Sequence, residues 1–226
     1  MKHAFIMDPL DKVKAHKDTS YFLMLAACEQ GHQVYYLDAG DLYVKDSSVM
    51  ATAQRVNVQD DPQAPFEPES EESVLMADMD AVWIRTDPPV DRAYFYMTML
   101  LDLLPASVKV INRPSTIRDW NEKLAALQYS QFTPATMVAR QSAQIVDFVH
   151  QHGRTTLKPI DGHGGAGILF VNSEQPDLES QIRLATHGGS HWVIVQQYLD
   201  AAKEGDKRIL LLNGEPLGAK IGRAHV

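Results

Sequence analysis

The chain has 226 residues, of which 45% are hydrophobic and 22% are charged, and its formal net charge is −8. This profile is typical of a water-soluble globular protein with one large or two modest domains, and the negative charge argues against a nucleic-acid partner. The chain contains no run of roughly 18 apolar residues and no signal-peptide core, and its only cysteine, Cys28, excludes an internal disulfide. We therefore expect a cytoplasmic protein with no membrane partner.

The first 112 residues alternate apolar runs with amphipathic segments, which predicts an α/β domain with a parallel sheet. Predicted strands cover 3–8, 33–38, 81–89 and 108–112, and predicted helices cover 18–31 and 91–104. A hairpin is predicted over 41–58, with its turn at Asp46 and Ser47. The acidic, proline-containing stretch 59–73 is predicted to be an exposed loop.

The second half of the chain has a looser pattern that predicts mixed helices and strands. Helices are predicted over 113–130, 142–151 and 177–186, the first with Pro114 and Ser115 at its start. A strand is predicted over 191–199. Asn213 and Gly214 stand between apolar stretches and predict the turn of a hairpin over 206–220.

A glycine-rich stretch, "LKPIDGHGGAGILF" (157–170), contains the spacing G-x-G-x-x-G. A dinucleotide site would need a helix after the glycines, but "GILFVN" favours a strand. A P-loop would need Gly-Lys-Ser/Thr, and a protein kinase would place its lysine after the loop, whereas Lys158 comes before it. What remains is a strand–loop–strand lid of backbone N–H groups with a lysine at its root, which can fold over a triphosphate. Taken alone, the loop could equally be an ordinary glycine hairpin.

Seven motifs together resemble the ATP-grasp ligases and, more narrowly, the bacterial glutathione synthetases. They are "FIMDPL", "GDLYV", "IRTDPPVD", "INRPSTIRDWNEKL", "LKPIDGHGGAGI", "VQQYL" and "GDKRILLLNGEPLGA". The resemblance implies ligation of γ-glutamylcysteine to glycine, driven by ATP and Mg²⁺ through an acyl phosphate, and a homo-oligomer when full length. Two alternatives stay open: another carboxylate–amine ligase of the same superfamily, or an ATP-binding module without ligase activity.

The resemblance also implies roles for individual residues. Arg208 is expected to be the catalytic arginine that faces the transferring phosphoryl group, and Arg85, Asp8 and Ser20 are expected to bind the dipeptide. The nucleotide is assigned to two phosphate-binding lysines, the lid, an adenine-carrying strand and a ribose-binding carboxylate. These are Lys123 and Lys158; Asp161, Gly162, Gly164, Gly165 and Gly167; Gln196, Gln197, Tyr198 and Leu199; and Asp206. Either lysine could instead be a surface residue, and Asp206 and Arg208 could form a surface pair at i and i+2.

The resemblance further implies a domain division. Residues 1–112 are expected to form an N-terminal, substrate-binding pre-ATP-grasp domain, and 113–220 the α+β first half of an ATP-grasp domain. The final "IGRAHV" (221–226) back-translates to ATC-GGA-AGA-GCA-CAC-GTC, a run typical of a sequencing adapter, and is expected to be non-native. The family continues into a further half that carries the magnesium ligands. We therefore expect a C-terminally truncated fragment that is inactive alone, and we name no metal ligand in it.

Overall fold

The computed structural model describes residues 1–222 and divides the chain into two compact units. The first unit is Met1–Asn121, and the second begins at Glu122. Sequence analysis placed the domain boundary after residue 112. Residues 223–226, most of the predicted non-native tail, lie outside the described residues. No helix within 1–222 combines the length and the apolar character needed to cross a membrane.

The first unit is built on a seven-stranded mixed sheet formed within residues 1–121. Its strands are β1 (Lys2–Ile6), β2 (Gln33–Leu37), β3 (Leu42–Lys45), β4 (Ser48–Val58), β5 (Phe66–Leu75), β6 (Ala81–Ile84) and β7 (Lys109–Ile111). The order is β3-β4-β2-β1-β6-β7, with β5 paired to β4. Strand β1 runs parallel to β2 and β6, and β6 runs parallel to β7, so the predicted parallel α/β sheet is confirmed.

Helices cover both faces of this sheet. They are α1 (Thr19–Glu29), α2 (Arg92–Leu101) and α3 (Pro114–Asp119). Successive side chains of β1 point to opposite faces, so Phe5 packs in one cluster with Met24 of α1, while Ile6 packs in the other with Leu101 of α2. Because parallel strands end at one edge of the sheet, the residues that follow β1 and β6 are neighbours there.

The prediction of an exposed loop over 59–73 holds for residues 59–65, which belong to no strand or helix, but is wrong for 66–73, because β5 is a ten-residue strand. It pairs antiparallel with β4 along most of its length, for example Glu72 with Ala53 and Phe66 with Val58. Most of its side chains are exposed on both faces, so the strand lacks the apolar alternation by which strands are recognised in sequence. Its glutamates also suit an edge strand, since charge there discourages pairing with another chain.

The second unit contains a four-stranded antiparallel sheet in the order β10-β9-β11-β8. Its strands are β8 (Thr136–Ala139), β9 (Thr155–Pro159), β10 (Leu169–Val171) and β11 (Val193–Gln197), and its helices are α4 (Glu122–Ala125), α5 (Ser142–His152) and α6 (Leu178–Ala185). Strands β9 and β10 are antiparallel and joined by the glycine-rich loop, as predicted. Leu157 and Val195 pack against Ile145 of α5 and Ile182 of α6. Strand alternation therefore places Lys158 and Gln196 on the opposite face.

The single helix predicted over 113–130 is wrong. Helix α3 begins at Pro114 as expected but ends at Asp119, and Trp120 has non-helical angles of φ −114° and ψ 75°. Helix α4 follows, and then a 3₁₀ segment over 126–132. Asp and Asn side chains compete for backbone hydrogen bonds, so the "DWN" run favours a break. As a result, Lys123 lies on its own short helix.

A hairpin of β12 (Lys207–Leu212) and β13 (Glu215–Ile221) forms a separate two-stranded sheet. Asn213 and Gly214 have φ angles of 51° and 85°, so the predicted turn is confirmed. Four consecutive apolar residues of β12 are exposed: Ile209, Leu210, Leu211 and Leu212.

Candidate active site

The first unit holds a cavity of about 250 Å³ at the carboxyl ends of β1 and β6, here called the Arg85 cavity. Asp8, Ser20 and Arg85 all line it, so the structure brings together the three residues that sequence analysis assigned to the dipeptide. Asp8 follows β1, Arg85 follows β6, and Ser20 lies in the first turn of α1.

Hydrogen bonds fix the side chains of this cavity. The Arg85 Nε donates to the Ser20 Oγ at 2.9 Å, and the backbone N–H of Asp87 donates to a carboxylate oxygen of Asp8 at 2.8 Å. The backbone N–H of Arg85 donates to the carbonyl of Ile6 at 2.7 Å. Ser20 therefore orients the guanidinium through Nε, which leaves the two terminal nitrogens to receive a carboxylate in a fork-shaped contact.

Three further charged residues line the same cavity: Asp18, whose side chain caps α1, and Lys12 and Asp87, for which no role was predicted. Lys12 ends a short 3₁₀ helix over 10–12, and Asp87 stands in the Asp-Pro-Pro run, a sequence typical of a turn. Neither position carries a sequence signal of its own for binding. Cations and carboxylates together suit a zwitterionic ligand.

The second unit holds a smaller cavity of about 120 Å³, here called the lysine cavity. Lys123, Lys158 and the glycine-rich loop from Gly162 to Gly165 line it. Two of the predicted phosphate-binding residues are therefore in one place. Glu122, Pro159, His163, Ala166 and Ile168 complete its lining.

Lys123 is held by acceptors on its own helix and on the loop. Its Nζ donates to the carbonyl oxygens of Ile160 at 3.1 Å and of Gly162 at 2.5 Å, and it forms an ion pair with the Glu122 carboxylate at 3.2 Å. This lysine thus ties the root of the loop to α4. Glu122 was not singled out in the sequence.

Lys158 has a different environment, because its Nζ donates to a neutral acceptor, the Gln196 Oε1, at 2.7 Å. The Gln196 amide nitrogen donates in turn to the Thr136 Oγ1 at 2.8 Å, and that hydroxyl donates to the Pro134 carbonyl at 2.8 Å. This chain of bonds fixes which end of the Gln196 amide faces the lysine. Thr136 had no sequence signal.

The charge on Lys158 has no carboxylate partner among residues 1–222, since none of the ion pairs formed there includes it. Burial lowers the pKa of Lys158 from its ordinary value of 10.5, and the nearby positive charge of Lys123 lowers it further. An anion placed in the lysine cavity would favour the charged form of Lys158 and so offset the effects of burial and of Lys123.

The glycine-rich loop depends on glycine for its shape. Gly164, Gly165 and Gly167 have φ angles of 58°, 83° and 73°, in the left-handed region that side chains disfavour. A Cβ on Gly167 would also lie 2.9 Å from the Pro159 Cγ. The loop therefore passes close to the end of β9.

Asp161 does not line the lysine cavity. It lines a separate cavity of about 270 Å³, together with Gly167, His187 and Trp192. The structure thus divides the predicted lid residues between two cavities.

The predicted adenine-carrying residues have varied surroundings. The backbone N–H groups of Gln197 and Tyr198 already donate to the carbonyl oxygens of Ala135, at 2.9 Å, and Arg154, at 3.0 Å. The Tyr198 ring has the Arg154 guanidinium 3.8 Å from its centroid and the Phe170 ring against it edge-on. Leu199 has an exposed side chain, and its N–H donates to no backbone carbonyl within residues 1–222.

Asp206 and Arg208 lie at the start of the apolar hairpin. The Arg208 Nε lies 3.9 Å from an Asp206 carboxylate oxygen, and the Arg208 side chain is 74% exposed. The other Asp206 oxygen, Oδ1, is buried and has no hydrogen-bond partner among the described residues. Gly222 packs directly against this oxygen, so the burial that leaves it without a donor also keeps it from a ligand.

Sequence models of two domains match nearly the whole chain. The prokaryotic glutathione synthetase N-terminal domain matches residues 1–118, and the prokaryotic glutathione synthetase ATP-grasp domain matches residues 122–225.

Curated relatives agree with these matches. A glutathione synthetase of Vibrio cholerae is 35% identical over 224 residues, which cover 99% of this chain and 70% of the relative. A glutathione synthetase of Thermosynechococcus vestitus is 41% identical over 229 residues, covering 97% of this chain and 72% of the relative.

Solved structures share the fold at low sequence identity. An ATP-grasp RimK domain protein from Sphaerobacter thermophilus has a TM-score of 0.64 at 17% identity, covering 100% of this chain and 74% of that one. The D-cycloserine synthetase DcsG has a TM-score of 0.66 at 16% identity, covering 99% of this chain and 68% of that one. Both support the ATP-grasp fold alone.

Proposed function

The chain belongs to the prokaryotic glutathione synthetase family, and we propose that the lysine cavity and the Arg85 cavity bind the two larger substrates of ATP-dependent glutathione synthesis. The protein is an ATP-dependent carboxylate–amine ligase that joins γ-glutamylcysteine to glycine. The route is an acyl phosphate: the dipeptide carboxylate takes the γ-phosphoryl group, and the glycine amine then displaces phosphate.

The observation that carries the nucleotide assignment is the unpaired charge of Lys158 beside a loop of glycines. Lys158 and Lys123 bring two positive charges to one cavity, and among residues 1–222 the side-chain acceptor of Lys158 is the neutral amide of Gln196. Glycine leaves the loop backbone bare, so N–H groups can approach phosphate oxygens closely. This donor set fits a triphosphate.

The adenine and ribose assignments rest on groups left available in the second unit. Leu199 has the accessible backbone N–H of the four predicted residues, so we assign recognition of the adenine edge to it. The Gln196 side chain is committed to Lys158, and we assign it to lysine placement. The Asp206 carboxylate, whose side chain is 41% exposed, is the acceptor for a ribose hydroxyl, and Arg208 is the cation for the transferring phosphoryl group.

The dipeptide assignment rests on the Arg85 cavity. Its terminal guanidinium nitrogens suit the γ-glutamyl α-carboxylate, and Asp8 supplies a carboxylate for the α-ammonium group. We assign Ser20 to orienting Arg85. Lys12 is a second cation for the other carboxylate of the dipeptide.

Mg²⁺ accompanies ATP in the proposed reaction. No group of three His, Cys, Asp or Glu side chains among residues 1–222 is placed to hold a metal ion. Magnesium takes carboxylate and phosphate oxygens, and Glu122 at the lysine cavity is already paired with Lys123. We assign no metal ligand.

Nucleotide binding can be tested by isothermal titration of the chain with ATP. We expect Lys158→Met to weaken ATP binding by about tenfold or more, since a charge-assisted contact is worth about 1.5–3 kcal/mol. Lys17→Met removes an exposed lysine of the first unit and is the matched control. Equal affinities for the two variants would contradict the assignment of the lysine cavity.

A further inference from the structure

The two lysines of the lysine cavity differ in chemical character. The Lys123 Nζ donates to two carbonyl oxygens and forms an ion pair with the Glu122 carboxylate. The Lys158 Nζ donates to the neutral amide oxygen of Gln196 and forms no ion pair among residues 1–222. The lysine cavity thus contains Lys123, which is fixed by three oxygen acceptors, and Lys158, whose acceptor is a neutral amide.

A lysine that is partly buried beside another cation is an activated nucleophile, because a larger fraction of its side chain is in the neutral amine form. Both conditions hold for Lys158, since burial and then Lys123 lower its pKa. Its place in a cavity of about 120 Å³ next to the bare loop backbone leaves room for a small anion. A phosphate group attracted to this cavity would lie beside the amine.

We propose that the Nζ of Lys158 is an acylation site, modified without a second enzyme by small acyl phosphates that bind in the lysine cavity. The neutral amine attacks the carbonyl carbon, and a nitrogen–carbon bond forms. The bond from that carbon to the phosphate oxygen breaks, phosphate leaves with the electron pair, and the amine proton passes to phosphate or water. The products are N-acyl-lysine and inorganic phosphate, and no oxidant or reductant is needed.

Acylation would remove the charge that the proposed function gives to Lys158. An amide nitrogen is neutral and carries one N–H, so the acylated side chain cannot neutralise a phosphate as an ammonium does. The inference rests on the proposed function only for this consequence. The modification itself follows from the surroundings of the two lysines.

The test is to incubate the chain with acetyl phosphate and follow each lysine by peptide mass spectrometry. We expect Lys158 to be acetylated about tenfold faster than Lys123 or the exposed Lys17, because it alone combines a neutral acceptor with a place beside a second cation. Inorganic phosphate should protect Lys158 by competing for the cavity. If Lys123 or Lys17 reacts as fast as Lys158, the proposal is wrong.

A parallel incubation with acetic anhydride separates nucleophilicity from phosphate recognition. Acetic anhydride carries no phosphate, so the preference for Lys158 should be smaller with it than with acetyl phosphate. An equal preference with both reagents would overturn the claim that the cavity selects acyl phosphates. In wild type, the rate at Lys158 should reach half its maximum below pH 10.5, the ordinary lysine value.

Two isosteric variants test the role of the neutral acceptor. Gln196→Glu places a carboxylate at the oxygen now 2.7 Å from Nζ, which favours the ammonium form and should slow acetylation of Lys158 by about tenfold or more. Gln197→Glu adds the same charge one residue later, on the other face of β11, and should have a smaller effect. Equal rates in the two variants would contradict the proposal.

The readout also separates this inference from the proposed function. Acetylation of Lys158 with no measurable ATP binding would support the modification site and contradict the assignment of the lysine cavity to the nucleotide. ATP binding with an unreactive Lys158 would do the reverse.

Discussion

The Nε of Arg85, at the carboxyl end of β6, donates a hydrogen bond of 2.9 Å to the Oγ of Ser20 in the first turn of α1. Residues that are distant in sequence are joined here because β1, β6 and α1 meet at one edge of the parallel sheet. The bond uses the nitrogen nearest the side-chain stem. It therefore fixes the orientation of the guanidinium beside the Arg85 cavity.

Substitutions at these two positions should weaken dipeptide binding to different extents. Arg85→Leu removes the proposed partner of a carboxylate and should weaken γ-glutamylcysteine binding by about 10- to 100-fold, whereas Ser20→Ala should cost about 3- to 10-fold. Isothermal titration with the dipeptide measures both. Arg92→Leu, at an exposed arginine of α2, is the control and should leave the affinity unchanged. A larger loss for Ser20→Ala than for Arg85→Leu would reverse the two roles.

Arg208→Ala should keep the dissociation constant for ATP within about threefold of the wild-type value. Contacts between solvent-exposed charges contribute only about 0–1 kcal/mol. The Arg208 guanidinium is largely exposed and lies 3.9 Å from Asp206. If its proposed partner is the charge that develops during phosphoryl transfer, ground-state binding of ATP should not depend on it. A loss as large as that of Lys158→Met, in the same titration, would make Arg208 a clamp for the bound nucleotide.

The glycine-rich loop should tolerate alanine at one position better than at another. Gly165 and Gly167 both have left-handed φ angles, but a Cβ on Gly165 meets open space, whereas one on Gly167 would lie 2.9 Å from the Pro159 Cγ. Gly165→Ala should cost about 1–2 kcal/mol through backbone strain alone, and Gly167→Ala should cost more. Urea unfolding of the two variants measures the difference, and equal costs would show that Pro159 moves aside freely.

The stability of the first unit should fall in mild acid because of His3. This side chain is buried, accepts a hydrogen bond from the Trp83 indole nitrogen at 3.1 Å, and lies 3.0 Å from His32. Burial lowers the pKa of His3 from 6.5, His32 and the amino terminus lower it further, and Asp80 offsets part of the shift. The unfolded chain therefore binds a proton at this residue more readily than the folded chain does.

The sign of the pH effect follows from that difference in proton binding. The free energy of unfolding should be highest above pH 6.5 and should decrease as the pH falls from 6.5 through the lower folded-state pKa. His3→Gln should flatten this dependence in urea unfolding measured at several pH values. His16→Gln changes an exposed histidine and should keep the wild-type dependence. A His3→Gln profile identical to wild type would exclude His3 as the group responsible.

Elements with a strong local pattern were predictable from the sequence. "GILFVN" was expected to form a strand on β-branched and aromatic content, and β10 follows the glycine-rich loop. Asn213 and Gly214 identified their hairpin because few residues adopt two successive left-handed conformations. In each case the deciding physics lies within a few residues.

Several features that the sequence did not predict depend on pairing between separate strands. Strand β5 is specified by backbone hydrogen bonds to β4 and not by an apolar pattern, so its glutamates resembled a loop. The contact of Gln196 with Lys158 depends on the register of β11 against β9, which pairs Ile194 with Lys158 and cannot be read from either strand alone. The contact of Gln196 with Thr136 likewise depends on the register of β11 against β8, which places these two residues opposite each other.

The separate hairpin of β12 and β13 has a consequence for local unfolding. Within residues 1–222, sheet pairing joins its two strands only to each other, and the apolar side chains from Ile209 to Leu212 are exposed on both of its faces. Isolated two-stranded hairpins are marginal in water, so its amide protons should exchange with deuterium well before those of β9 and β11, whose side chains Leu157 and Val195 are fully buried. The strand that carries Arg208 would then be the least protected part of the second unit, and any molecule that covers its leucines would slow that exchange.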